Sequence, residues 1–195
     1  MSYGTLLIVS GPSGSGKTTL CRRAEAAGLT SYSISCTTRP PRPGEQDGVD
    51  YHFLTPDIFA EKVCNGEFLE HATVHGNSYG TLKADIIDLL QAGKNVVMDI
   101  DVQGAASIRA CEDTIIRRCY ADVYIHVPAA ELEARLRGRQ TDSEEVIQLR
   151  LHNAAAEDAR QGEYQYALVS ADREHDYARF LALLTTLSMR TTLAQ

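Results

Sequence analysis

Apolar residues fall along this chain in two patterns. Some form short unbroken runs, and others recur every three to four positions, and their order predicts the fold. Leu6 to Ser10 is a continuous apolar run, suited to a strand buried on both faces of a parallel sheet. Lys17 to Ala27 carries Leu20 and Ala24 at helical spacing, with Gly28 as its stop. Ser33 to Arg39 alternates polar and apolar residues like a half-exposed strand. The next nine residues, 40–48, hold three prolines and two glycines and predict a loop. Residues 51–54 read as a strand, and Thr55-Pro56 opens a helix with Thr55 as N-cap and Gly66 as its end. Phe68 to Val74 alternates again, turns at His75-Gly76-Asn77 and returns through Tyr79-Gly80-Thr81. From there the rhythm is helical over 82–92, a buried strand over 95–101, a short helix over 102–110 and a core strand over 120–127. Helices follow over 129–138 and from about 142 to 161, the second with a Thr141/Glu144 capping box. A last strand at 166–169 and a helix from about 174 toward 189 close the chain.

The order is strand, helix, then an insert of antiparallel strands with one helix, then alternating helices and strands. It predicts an α/β fold, a parallel sheet with helices on both faces, interrupted near residues 35–81. At 195 residues, 44% hydrophobic and 23% charged, the chain suits one globular unit with a sizeable core. A net charge of −7 argues against non-specific binding to nucleic acid or an acidic membrane. Any anion site must be built from a few local cations. No apolar stretch approaches the ~20 residues that span a bilayer, and the N-terminal run is too short for a secretory signal core. The five cysteines (21, 36, 64, 111 and 119) include no C-x-x-C pair and are expected as thiols in a reducing cytoplasm.

The first chemical signal lies between the first strand and the first helix. Gly11-Pro12-Ser13-Gly14-Ser15-Gly16-Lys17-Thr18 has the G-x-x-x-x-G-K-[ST] spacing of a phosphate-binding P-loop. The glycines let successive backbone N–H groups face phosphate oxygens, and the following helix adds its positive dipole end. Lys17 is expected on the β- and γ-phosphates, the Thr18 hydroxyl on Mg²⁺, and Thr19 within the same ATP site. The strand ending in Asp99 and Asp101 supplies carboxylates where such proteins keep their metal; a strand-end cap is the other reading of Asp99.

The insert makes the signal more specific. Arg39, Arg42, Tyr51 and Tyr79 are two guanidinium forks and two phenols able to clamp a second phosphate. Glu70, with Ser35 and Thr81 nearby, presents paired acceptors that match the N1–H and 2-amino donors of guanine and oppose adenine. Taken alone, Glu70 also reads as a solvated strand carboxylate, the tyrosines as packed aromatics, and the arginines over 135–150 as an ion-paired helix face.

Ser35 to Glu45, Asp50 to Phe53, Gly66 to Glu70, Gly76 to Thr81 and Asp99 to Gly104 resemble, in order and spacing, the signature segments of the guanylate kinase family. The resemblance spans almost the whole chain. It implies a cytoplasmic enzyme that transfers the γ-phosphoryl of ATP to GMP with Mg²⁺, giving ADP and GDP. It implies a core (1–34, 82–128 and 151–195), a GMP-binding insert (35–81) and a mobile helical lid (129–150). Residue by residue, Ser35, Glu70 and Thr81 resemble guanine readers, and Arg39, Arg42, Tyr51 and Tyr79 the GMP phosphate clamp. Asp99 and Asp101 resemble the acidic pair near GMP and Mg²⁺, with Asp99 a candidate for water-mediated contact with the metal. Arg135 and Arg139 resemble the lid arginines, and Arg150 the one that bridges both phosphates. Arg137 stays outside the site. Three departures stand out: Gln140 after Arg139, Ser170-Ala171-Asp172 where the family often has Val-Asn-Asp, expected to alter a contact near the adenine, and a slightly short first helix. Competing functions are a scaffold domain of the same fold, which typically loses an intact P-loop or lid, and a kinase for a phosphorylated sugar, which needs no base-reading set.

Overall fold

The structure, a computed structural model, describes residues 2–74, 76–138 and 143–194. Five strands form one parallel sheet in the order β2-β7-β1-β8-β9: β1 Leu6–Ser10, β2 Ser31–Tyr32, β7 Val96–Asp99, β8 Tyr120–His126 and β9 Tyr166–Val169. The unbroken apolar run of β1 divides between two cores. Leu7 and Val9 pack with Leu20, Cys21 and Ala24 of α1 (Lys17–Ala26) and with Phe180, Leu184 and Leu187 of α8 (Arg173–Ser188). Leu6 and Ile8 point the other way, against Ile86 and Leu90 of α3 (Lys83–Gln91), Ala105 and Ile108 of α4 (Val102–Arg109) and Ile116 of α5 (Thr114–Cys119). Burial on both faces is why β1 shows no alternation.

A second sheet, β4-β3-β6-β5, lies within the insert: β3 Cys36–Thr37, β4 His52–Phe53, β5 Phe68–Val74 and β6 Asn77–Leu82. It is mixed rather than antiparallel throughout, because β3 pairs with β4 in parallel and with β6 antiparallel. Its small core joins Cys36 and Phe68 to Phe59 of α2 (Pro56–Cys64), whose N-cap Thr55 accepts from the Ile58 N–H as the sequence predicts. Of the strand expected over Ser33–Arg39 only Cys36–Thr37 forms, and a separate strand in the other sheet, Ser31–Tyr32, precedes it, since the chain pairs with β7 at Tyr32 and joins β6 at Cys36. Alternation of polar and apolar residues cannot reveal such a change of partner.

Helix α6 (Ala129–Gly138) and helix α7 (Glu144–Asp158) pack through Leu132, Leu136, Ile147 and Ala154. The N-cap of α7 is Ser143, which accepts from the Val146 N–H. The expected Thr141 half of a capping box lies outside the described residues. Helix α7 also ends at Asp158 rather than near Gln161, where a 3₁₀ turn, Gln161–Glu163, begins. Sequence periodicity missed α5, whose six residues are too few for a helical period and whose start is marked only by the N-cap Asp113. Among the described residues no helix is long and apolar enough to cross a membrane.

Candidate active site

The P-loop runs from the end of β1 to the start of α1, at the carboxyl edge of the parallel sheet where ligands bind in such folds. Two of its glycines are required by geometry. Gly11 has φ 143°, and a Cβ there would stand 2.4 Å from the Ile125 carbonyl oxygen. Gly16, at the N-cap of α1, has φ 90°, in the left-handed region. Lys17 folds back over the loop and donates to the Gly11 carbonyl at 2.5 Å and the Pro12 carbonyl at 3.1 Å. Burial pushes its ammonium below the usual lysine range, against the opposing pull of Glu157 and Asp99. Gly11, Gly16, Lys17, Thr18 and Thr19 line a cleft of about 390 Å³ shared with Asp99, Asp101 and Glu157. Ser13 and Gly14 share it, and the Ser15 hydroxyl is buried without a partner among the described residues.

The two acidic residues expected to act together have different local roles. The register Val9↔Asp99 brings the last residue of β7 beside the P-loop. The Thr18 hydroxyl donates to one Asp99 oxygen at 2.5 Å, and the Tyr32 phenol donates to the other. The strand stops there. Asp101 is the N-cap of α4, accepting from the N–H groups of Gln103 (3.1 Å) and Gly104 (2.8 Å). Thr18 and Asp99 offer hard oxygen donors facing the phosphate loop, which suits Mg²⁺, an ion that takes one or two protein oxygens and completes its shell with phosphates and water. Among the described residues no three His, Cys, Asp or Glu side chains cluster as a dedicated metal cage.

In the insert, the antiparallel pairing of β5 and β6 sets Glu70 opposite Thr81. The Thr81 hydroxyl donates to Glu70 at 2.9 Å and lies 3.4 Å from the Ser35 hydroxyl. Burial, with Asp101 adding to it, raises the Glu70 carboxyl above the usual carboxylate range, while the Thr81 hydrogen bond pulls the other way. Gly104 closes against this group; a Cβ there would lie 3.4 Å from Glu70 Oε2. The guanine-reading set predicted from sequence is therefore one cluster, and Asp101 links it to the P-loop cleft.

Arg39 sits 5.4 Å from the Tyr51 ring centre, and the Tyr51 and Tyr79 ring centres are 6.1 Å apart, so three of the four predicted phosphate-clamp side chains meet. Arg39 also carries an ion pair to Glu45 at 2.8 Å, a partner the sequence reading did not assign. Arg42 is exposed on the loop, and its backbone N–H donates to Glu45 at 2.7 Å. Glu45 thus ties both arginines to one turn, and Arg39 is the first cause of its lowered pKa.

A second cleft, of about 760 Å³, opens on the other side of the P-loop between Gly14–Gly16, α6 and the start of α8. Arg135 reaches into it, pairing with Glu131 at 2.7 Å and donating to the Ser170 hydroxyl at 3.0 Å and the Ala171 carbonyl at 3.1 Å. Ser170, one of the departures, in turn donates to the buried Asp176 at 2.5 Å. Arg150 donates to Ser13 at 2.6 Å, so α7 rests on the P-loop. Arg137 pairs with Glu133 and Glu144 on the helix surface, the ion-paired helix face expected of it. Arg139 and Gln140 lie outside the described residues.

Sequence reasoning passed over Tyr32, Glu157 and Asp176. Glu157 lies seven residues beyond Arg150 on α7, a spacing that shares one helix face, and burial raises its carboxyl. That spacing was a readable signal. Tyr32 and Asp176 carried none, because their partners are set by sheet register and helix docking.

The chain is similar to known proteins along nearly its whole length. The guanylate kinase family model matches residues 3–186. The guanylate kinase of Fusobacterium nucleatum is 44% identical over 176 residues, 89% of this chain and 92% of that protein. The guanylate kinase of Anaeromyxobacter dehalogenans is 49% identical over 184 residues, 93% of this chain and 80% of that one. The crystal structure of guanylate kinase from Anaplasma phagocytophilum aligns at a TM-score of 0.75 and 30% identity, covering 100% of this chain and 91% of that one.

Proposed function

Because the chain belongs to the guanylate kinase family, we propose that it transfers the γ-phosphoryl group of ATP to GMP, giving ADP and GDP, with Mg²⁺ bound beside the P-loop. The observation that carries the reading is the Ser35–Thr81–Glu70 cluster set beside a complete phosphate loop. A carboxylate held by Thr81 accepts the two adjacent N–H donors of guanine; adenine offers it an acceptor and a donor.

In this reading the P-loop backbone and Lys17 hold the donor phosphates. Arg39, Arg42, Tyr51 and Tyr79 hold the acceptor phosphate, Asp99 and Asp101 flank it, and Arg135, Arg139 and Arg150 neutralise the charge of the transferring group. The acceptor oxygen belongs to an already ionised phosphate, so no protein base is required. Rate comes from bringing two anions in line and offsetting their repulsion. Thr18 and Asp99 are the residues that would hold the cation, which supplies positive charge on the donor phosphates. Residues 35–81 act as the acceptor-binding unit and 129–150 as the lid over a core of 1–34, 82–128 and 151–195. The second cleft, lined by Thr19, Arg135 and Asp172, takes the donor's nucleoside end. A cytoplasmic location is supported by five free thiols.

The test is a coupled ADP-release assay with ATP and Mg²⁺, comparing GMP, AMP, CMP, UMP and no acceptor. Strong turnover with GMP alone is expected. Equal turnover with AMP would remove the base-reading assignment, and turnover with none would remove the reaction.

A further inference from the structure

Tyr32 is a single phenol on a two-residue edge strand, yet it reaches the carboxylate assigned to the cation. The parallel register pairs Tyr32 with Val97, so Asp99 lies two residues further along the neighbouring strand, on the same face as Val97. That offset is about 6.6 Å, within the reach of a tyrosine. The phenol donates to Asp99 Oδ1, while Thr18 donates to Oδ2. Both oxygens of Asp99 are therefore held, one from α1 and one from β2.

The ring is itself held. It packs on the core beneath α1, and the Arg22 guanidinium lies 3.8 Å above its centre. Thr18 and Arg22 are one turn apart on α1, so one helix face both donates to Asp99 and covers the tyrosine that does the same. A carboxylate held by one hydrogen bond rotates freely about its terminal torsion, whose energy well is broad. A second donor on the other oxygen removes that freedom. The gain passes to Thr18: with its proton committed to Asp99, the hydroxyl keeps its lone pairs for a cation.

We propose that Tyr32 is a positioning residue for the divalent-cation site, fixing the Asp99 carboxylate and, through it, the Thr18 hydroxyl. The inference rests on the reading that Thr18 and Asp99 serve the cation. Outer partners of this kind are worth about 10- to 100-fold in metal affinity. Because Thr18 still holds Asp99 in its absence, the lower end of that range applies.

The experiment is Mn²⁺ titration of the enzyme with ADP, followed by the electron paramagnetic resonance signal of free Mn²⁺, for wild type, Tyr32→Phe and Asp99→Asn. Phenylalanine keeps the ring and its cation–π contact and removes only the hydroxyl. Tyr32→Phe is expected to weaken Mn²⁺ binding roughly tenfold, with metal-free ADP affinity and GMP affinity unchanged. Mn²⁺ affinity within about twofold of wild type would overturn the proposal and leave Tyr32 a packing residue, a change that small lying well below the range of outer-partner effects. An equal loss of ADP affinity without metal would overturn it too, since the damage would then be general. Wild-type Mn²⁺ binding by Asp99→Asn would instead remove the premise that Asp99 serves the cation, a failure distinct from that of Tyr32.

Discussion

Replacing Glu70 with glutamine separates recognition from stability at one atom. The native carboxylate accepts from Thr81 at 2.9 Å. The amide oxygen of glutamine can keep that bond, which turns its NH₂ toward the guanine edge. One N–H of the base then loses a charge-assisted acceptor, about 1.5–3 kcal/mol, and faces a donor with its own unmet need, about 1–3 kcal/mol. These losses overlap, and a combined cost of about 3–4 kcal/mol lowers kcat/KM for GMP roughly 10²- to 10³-fold. The penalty should shrink with IMP, which lacks the 2-amino group. Stability should move the other way. Burial raises the Glu70 pKa in the folded state, so its charged form costs stability at neutral pH. That cost fades as pH falls through the raised folded pKa toward the unfolded value, and glutamine removes it at all pH values. The variant should therefore melt no lower than wild type at pH 7 and lose the acid limb of kcat/KM for GMP, a limb placed above the ordinary carboxylate range. Coupled ADP release across pH, with GMP and IMP, reads all of this. A GMP kcat/KM within about threefold of wild type would refute the reasoning, because no geometry with a lost charged acceptor costs so little.

Lys17→Ala should lower kcat roughly 10²- to 10³-fold without lowering Tm, since burial already disfavours the charged lysine; single-turnover rates and a melt check both halves. Ser170→Ala leaves the buried Asp176 short of the donor it has at 2.5 Å and frees one bond of Arg135. It should cost about 1–3 kcal/mol, or roughly 3–8 °C in Tm, and raise KM for ATP more than KM for GMP. Asp122 is fully buried and joins Arg109, Tyr120 and the Gln165 N–H far from the site. Asp122→Ala should lower Tm by roughly 5–10 °C, because the Tyr120 phenol and the Gln165 N–H lose their acceptor while Arg109 keeps its pair to Glu163, with both KM values unchanged in the folded enzyme.

What could be read from the chain itself was what depends on near neighbours. The P-loop follows from glycine spacing, and Gly11 and Gly16 do occupy positive-φ conformations that other residues rarely adopt. The Thr55-Pro56 start of α2 and the unbroken run of β1 were legible because caps and periodicity act over a turn or a pleat. The guanine-reading group was suggested by donor and acceptor chemistry but singled out only through resemblance, since Glu70 and Thr81 meet across a hairpin while Ser35 comes from the segment before β3.

The tertiary structure decided which charged and hydroxyl groups share a site. Asp99 and Asp101 look equivalent in sequence, yet the end of β7 gives Asp99 to the P-loop and the start of α4 turns Asp101 into a cap. Tyr32 reaches Asp99 across 67 residues of chain, and Thr18 reaches it across 81, because parallel register sets three strand ends side by side. Arg135, Ser170 and Asp176 join only where α6 and α8 close over β9. Local propensity acts through torsions and hydrogen bonds a few residues apart and so is written in the sequence. Pairing at long separation depends on register and docking, which no single stretch specifies until the whole core has packed.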